Sequence, residues 1–300
     1  MNWAADFRSP RGGQALPEPT EIGPRLFEWG TRTFVMGIVN ATPDSFSGDG
    51  LLAAPAGIAG AAVEAAVVQA QRMVEDGADI LDVGGESTRP GHQAVPEAEE
   101  SGRVVPVIAA IHAALPNTPI SVDTAKPAVA EAAIRAGASM INDVWGISTD
   151  DTMARLAGVS RVPMVIVHNR AEPVYKDFAA ELLEDLRAAL ERAVAAGVPL
   201  RNLIVDPGFG FGKTPEHNLT VMRELPALRR LGVPILLGTS RKSTIGRVLG
   251  GLPVEERLEG TLATTAIGIA AGVDVVRVHD VRANVRAALV ADAICRGGNQ

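Results

Sequence analysis

The 300-residue chain has a single cysteine, Cys295, a single tyrosine, Tyr175, and only 4% aromatic residues. One thiol cannot form an intrachain disulfide, and a zinc site built from cysteines is excluded. So few rings leave a nucleic-acid-binding face without stacking platforms. Basic residues are also short, 28 Lys and Arg against 35 Asp and Glu, for a net charge of −7. A broad surface tracking a phosphate backbone is therefore not expected, and neither is a nucleic-acid partner. Net charge speaks of solubility and steering, so a local cationic pocket stays open. No run reaches the ~18 charge-free apolar residues that suggest a membrane span. The first 30 residues carry Asp6, Glu18 and Glu21 without an apolar run, which is not the pattern of a secretory signal. These absences fit a cytoplasmic protein.

A hydrophobic content of 47% with 21% charged residues supplies a sizeable core and excludes disorder as the main state. With few rings, that core is built from Ala, Val, Leu and Ile. Residues 8–24 are rich in Pro and Gly, and residues 1–25 read as a loose leader ahead of one domain over 26–300. From Phe34 onward, short β-branched runs alternate with longer Ala/Leu/Glu/Arg segments. The runs fall at 34–39, 80–83, 120–123, 140–142, 164–167, 203–206, 235–237 and 275–278. Apolar strands without strict alternation indicate a parallel sheet covered on both faces. Eight βα units in succession predict an α/β fold, a closed (β/α)8 TIM barrel. Recurrent glycines at 77, 137, 197, 232 and 272 read as helix C-caps leading into the next strand. Residues 26–29 and 31–34, around Gly30, are expected to form a small hairpin plugging the barrel bottom.

Barrel enzymes carry their chemistry on the loops after the strands. Here every strand ends in polar residues: Asn40; Asp82; Asp123; Asn142 and Asp143; His168 and Asn169; Asp206; Ser240 to Ser243; and Arg277, His279 and Asp280. One such end is commonly a cap. Eight together point to a working pocket, because buried polar groups cost free energy unless paired. Arg277 and His279 are two apart on a strand and share a face, so with Arg89 they could grip a phosphate or pyrophosphate. The 240–246 segment reads as a helix start, which favours an anion. Asp123, Asn142, Asp206 and Lys242 offer mixed donors and acceptors suited to a flat heterocycle. Asn40 and Asp44 are hard oxygen ligands suited to Mg2+ bound to phosphate oxygens.

Other motifs fail. Gly212-Lys213-Thr214 resembles the end of a P-loop, but Pro207 stands where its first glycine belongs. Glu97, Glu99 and Glu100 read as a charged helix start, and His217 as part of another.

The residues resemble the dihydropteroate synthase family. The resemblance rests on MGIVNATPDSFS (36–47), GADILDVGGESTRPG (77–91), SVDT (121–124), IND (141–143), DPGFGFGKT (206–214), TSRKSTIG (239–246), RLEGTLATTA (257–266) and RVHDV (277–281). It implies joining 6-hydroxymethyl-7,8-dihydropterin diphosphate to p-aminobenzoate with release of pyrophosphate, by an SN1-like substitution. It implies a pterin pocket of Asp123, Asn142, Asp206 and Lys242 with Asp82 nearby, and Mg2+ at Asn40 assisted by Asp44. Thr88, Arg89, Arg277 and His279 would hold the diphosphate or border the aminobenzoate. Ser243 would receive the aminobenzoate carboxylate, and Phe46 and Pro90 would close over it. A homodimer through barrel helices is implied as well. Two phrases depart from the family: Ser47-Gly48-Asp49-Gly50 replaces Ser-Asp-Gly-Gly, and Val167-His168 replaces the commoner Met-His. The competing readings are a pterin-binding methyltransferase, which needs no diphosphate grip, and a non-catalytic paralogue, which would have lost its second loop.

Overall fold

The computed structural model describes residues 15–41, 56–86, 95–145 and 150–297, with side chains of the first helix from residue 60 on. Eight parallel strands form the barrel: β3 (Phe34–Asn40), β4 (Ile80–Gly84), β5 (Ile120–Asp123), β6 (Met140–Asp143), β7 (Met164–Val167), β8 (Leu203–Asp206), β9 (Leu236–Leu237) and β10 (Val275–Val278). They pair in the order β8-β7-β6-β5-β4-β3-β10-β9. The ring closes where Val205 bridges Ile235 and donates its N–H to Pro234, 3.0 Å away. The expected TIM barrel is thus present, with β9 trimmed to two ladder residues.

Between the strands lie α1 (Ala56–Glu75), α2 (Glu97–Ala114), α3 (Pro127–Arg135), α4 (Thr152–Ser160), α5 (Phe178–Ala195), α6 (Pro215–Leu228), α7 (Ser243–Val248), α8 (Leu258–Ala270) and α9 (Val281–Asp292). Local chemistry sets their ends. The Asp177 carboxylate caps α5 by accepting from the Ala180 N–H. Thr214 and His217 form a reciprocal cap on α6, which places His217 at the helix start as its sequence suggests. Gly77, Gly137, Gly197, Gly232 and Gly272 all stand at positive φ between a helical segment and the next strand.

The strands' period of two divides their side chains between an outer and an inner core. Val35, Leu81, Val83, Val122, Ile141, Ile166, Val205 and Val276 join the cluster packed on the helices. Met36, Ile80, Met140, Val165, Ile204, Leu236 and Val275 fill the barrel interior. Two residues further on, the inward positions become Asp82 on β4, Asn142 on β6, Asp206 on β8 and Arg277 on β10. Lining the interior with apolar residues at the bottom and ionisable ones at the top is what places the site.

The hairpin sits earlier in the chain than expected. It pairs β1 (Thr20–Ile22) with β2 (Arg25–Phe27), whereas 31–34 turns directly into β3. Gly23 and Pro24 supply the turn, a Gly-Pro signal that the symmetry around Gly30 obscures. The hairpin does plug the barrel bottom. Ile22, Phe27 and Trp29 are buried in the interior core, and Arg25 and Thr20 bond to carbonyls of the loops before β5 and β8. No helix among the described residues is long and apolar enough to cross a membrane.

Candidate active site

At the barrel mouth, Arg277 joins two carboxylates from neighbouring strands. Its Nε donates to Asp82 Oδ2 at 2.6 Å and its Nη2 to Asp123 Oδ2 at 2.5 Å. Asn142 Nδ2 donates to the same Asp82 oxygen at 3.1 Å. This leaves Asp82 Oδ1, Asp123 Oδ1 and Asn142 Oδ1 buried without a partner among the described residues. Each such group costs about 1–3 kcal/mol until a donor meets it. Three in one hydrogen-bonded cluster therefore select a ligand rich in N–H groups.

The electrostatics follow from burial. Asp123 is pushed up to about 7, chiefly by desolvation; Arg277 opposes the rise while Asp82 and Glu100 add to it. Desolvation also raises Asp206, with Lys242 pulling the other way. Lys242, half-buried, falls to about 8 chiefly through desolvation, with Asp206 pulling the other way. The Arg277 guanidinium remains firmly charged, the two aspartates outweighing its desolvation.

The loop after β8 builds the opposite wall. Gly208 N–H donates to Asp206 Oδ1 at 2.7 Å, fixing that carboxylate. The Lys242 ammonium donates to the Phe209 carbonyl and lies 4.3 Å over the Phe211 ring. Gly208 and Gly212 stand at φ 68° and 51°. A Cβ on Gly208 would collide with the His168 carbonyl, and one on Gly212 with the Arg170 backbone. Glycine is needed at both. Lys213 ends this loop half-buried, with its ammonium on His168 and on two carbonyls, and desolvation pulls it down to about 7.

After β9, Arg241 adopts a left-handed backbone, φ 57°. Its guanidinium grips Asp280 at 2.6 and 2.9 Å, its N–H donates to Thr261, and its carbonyl accepts from Arg257. This bracing holds a non-glycine residue in a sparsely populated conformation beside the mouth. His279 Nδ1 lies 3.0 Å from Ser240 Oγ, joining the loops after β9 and β10. Ser243 is exposed as the first residue of α7. Asn40 ends β3 half-buried beside Gly84.

The structure thus brings Asp82, Asp123, Asn142, Asp206, Lys242 and Arg277 to the barrel mouth. Arg277 is already paired with both aspartates there. Asp44, Phe46, Thr88, Arg89 and Pro90 lie outside the described residues. Three further participants carry only weak sequence signals. Phe211 is one apolar residue in a glycine run, and Lys213 stands in a phrase that resembles a P-loop and fails as one. Glu100 reads with its neighbours as a solvated helix start, yet it is fully buried and ion-paired to Lys126, which also holds Glu86. The signal for Glu100 is its place on the face shared with Val104, Val107, Ile108 and Ile111.

Comparison with known proteins agrees with this geometry. Residues 36–279 match the model of the pterin-binding enzyme family. The dihydropteroate synthase of Clostridium beijerinckii is 50% identical over 277 residues, covering 92% of this chain and 99% of that one. The chain belongs to the dihydropteroate synthase family. Among solved structures, the Clostridium difficile dihydropteroate synthase determined with pteroic acid has a TM-score of 0.84 at 48% identity, covering 90% of this chain and 99% of that one. The Xanthomonas albilineans dihydropteroate synthase with 4-aminobenzoic acid has a TM-score of 0.84 at 43% identity, covering 93% and 98%.

The residues present bear on the metal that the family implies. Among the described residues no group of three His, Cys, Asp or Glu side chains could hold an ion. Asn40 supplies one neutral hard oxygen donor at the mouth. That donor set fits Mg2+ carried largely by substrate phosphate oxygens and water rather than a protein-built cage.

Proposed function

We propose that this barrel mouth condenses 6-hydroxymethyl-7,8-dihydropterin diphosphate with p-aminobenzoate to give 7,8-dihydropteroate and pyrophosphate. The observation that carries the reading is the set of unpartnered buried acceptors on Asp82, Asp123 and Asn142. A pterin ring presents amino and ring N–H groups along one edge and a carbonyl on another. Asp123, Asn142 and Asp206 receive the donors, Lys242 donates to the acceptor edge, and Phe211 supplies a flat apolar face.

The substitution needs no covalent enzyme nucleophile. The bond from the pterin methylene carbon to the diphosphate oxygen breaks first, and pyrophosphate leaves with the electron pair. The arylamine nitrogen then attacks the methylene cation and loses a proton. Asp123 and Asp82 place negative charge near that cation, while Arg277, His279 and Arg89 favour the departing diphosphate. Asn40 and Asp44 would hold Mg2+, which when bound neutralises phosphate charge. Thr88 borders the diphosphate, and Ser243, Phe46 and Pro90 border the aminobenzoate.

The wider reading is of a cytoplasmic enzyme with small-molecule substrates, a leader over 1–25 and a barrel domain over 26–300, the leader side lending Thr20–Ile22 to the hairpin. A homodimer is part of it. The adjacent helices α8 and α9 expose Ile267, Leu289 and Val290, with Ile294 just beyond, apolar surface suited to a second copy of the chain. Incubation with both substrates, with and without Mg2+, tests the reaction. Equimolar dihydropteroate and pyrophosphate are expected, and absence of both products with Mg2+ present refutes it.

A further inference from the structure

Lys213 carries a half-buried ammonium for which the reaction above has no use. Its three N–H groups meet three acceptors: His168 Nδ1 at 2.8 Å, the His168 carbonyl at 3.0 Å and the Phe211 carbonyl at 2.9 Å. When Nδ1 accepts, the ring proton lies on Nε2, which donates to Asp185 Oδ2 at 3.0 Å. Arg170 holds that same oxygen through Nε at 3.0 Å and Nη2 at 2.7 Å. One unbroken chain of polar contacts therefore runs from α5 to the loop after β8. Its two backbone carbonyls belong to different segments, the end of β7 and the 207–212 loop.

That loop lies outside the barrel's strand ladders. It holds three glycines at positive φ and is kept in shape by single contacts. Gly210 N–H donates to Asn218, which in turn donates to Thr244, and Tyr175 donates to the Gly212 carbonyl at 2.8 Å. Yet the loop sets three features of the pterin pocket. Gly208 orients Asp206, the Phe209 carbonyl holds the Lys242 ammonium, and Phe211 lies beneath it. A Cβ on Gly208 would collide with the His168 carbonyl oxygen, the acceptor that Lys213 also binds, so the loop passes close to that carbonyl.

We propose that Lys213 is a positioning residue for the pterin substrate: by clasping the His168 and Phe211 carbonyls it locks the 207–212 loop against the end of β7, and so sets where Phe211, Asp206 and Lys242 stand. This rests on the pocket assignment in the preceding section. A merely structural lysine would change stability alone. A positioning lysine changes how tightly the pterin binds and leaves the aminobenzoate side nearly untouched.

The test replaces Lys213 and follows each substrate separately. Lys213→Met keeps the length of the side chain and removes every donor. Binding of 6-hydroxymethylpterin, read by calorimetry on the folded variant, is expected to weaken at least tenfold, while KM for p-aminobenzoate stays within about threefold of wild type. Lys213→Gln keeps two donors, enough for the two carbonyls, and is expected to recover part of the pterin affinity. If the Met variant does not fold, the comparison of the Gln variant with wild type decides. Pterin affinity within twofold of wild type in the folded Met variant overturns the proposal, or in the Gln variant where only that one folds, as does equal weakening for both substrates. Wild-type protein that makes no dihydropteroate in the same assay refutes the pocket assignment instead, which separates the two failures.

Discussion

Arg277 serves two purposes at once, and its replacement should be read on two scales. It neutralises the buried Asp82 and Asp123 carboxylates and sits beside the proposed leaving group. Arg277→Ala is expected to lower kcat/KM at least about a hundredfold, on the order of 3 kcal/mol of transition-state stabilisation. Urea denaturation should show a further loss of about 3–5 kcal/mol, because both carboxylates are left buried and unpaired. Unchanged kcat/KM in the folded fraction would remove Arg277 from the site.

Asp123 makes a prediction about pH. Burial raises its folded value from 3.8 to about 7, so the free protein holds a proton there that the ionised, ring-binding form must lose. Affinity for 6-hydroxymethylpterin should therefore fall as pH drops below about 7, approaching tenfold per pH unit. The sign for folding is opposite: stability declines as pH rises from about 4 to about 7, where only the folded state keeps the proton. Asp123→Asn should flatten both dependences, measured by calorimetric binding between pH 5.5 and 7.5 and by urea unfolding. The pocket residues at strand ends are legible in the sequence because the period of two fixes which side chains point inward. Lys213 and Glu100 are not, because a charge drawn out of solvent is recognised by its partner, and His168 lies 45 residues from Lys213 in the chain.

At the scale of elements, the plug separates folding from chemistry. Trp29 packs between Phe27 and Phe34, with ring centroids 5.6 and 5.4 Å away, and donates its indole N–H to Thr20 at 2.9 Å. Trp29→Ala should cost about 3–5 kcal/mol in urea denaturation. The kcat of the folded fraction should stay within twofold, since the plug lies at the barrel end opposite the site. All eight barrel strands are readable from their apolar runs, and glycine caps set off five of them. The hairpin's register is not, because three-residue strands carry too little pattern to outweigh a turn signal. β9 has two ladder residues, and a side chain at Gly238, which follows it, would meet Asp206 and Arg277.

For the whole molecule, a net charge of −7 coexists with a mouth where Lys242, Arg277 and Lys213 stand against Asp82, Asp123 and Asp206. The surplus of acid lies largely elsewhere, so the average says little about the pocket. The exposed apolar side chains of α8 and α9 bear on assembly. Sedimentation equilibrium should give twice the 31.2 kDa chain mass, and Leu289→Glu combined with Ile267→Glu should shift it toward the monomer. A wild-type monomer at micromolar concentration would contradict the dimer.

Everything proposed for the mouth depends on its unpartnered acceptors receiving the pterin ring, and a crystal structure of the protein with 6-hydroxymethylpterin would show whether they do. Ring N–H groups are expected within about 2.7–3.2 Å of Asp123, Asn142 and Asp206 oxygens, with the Phe211 ring against one face. A pterin bound elsewhere, or lying in the mouth with Asp123 Oδ1 and Asn142 Oδ1 still unpaired, would refute the assignment.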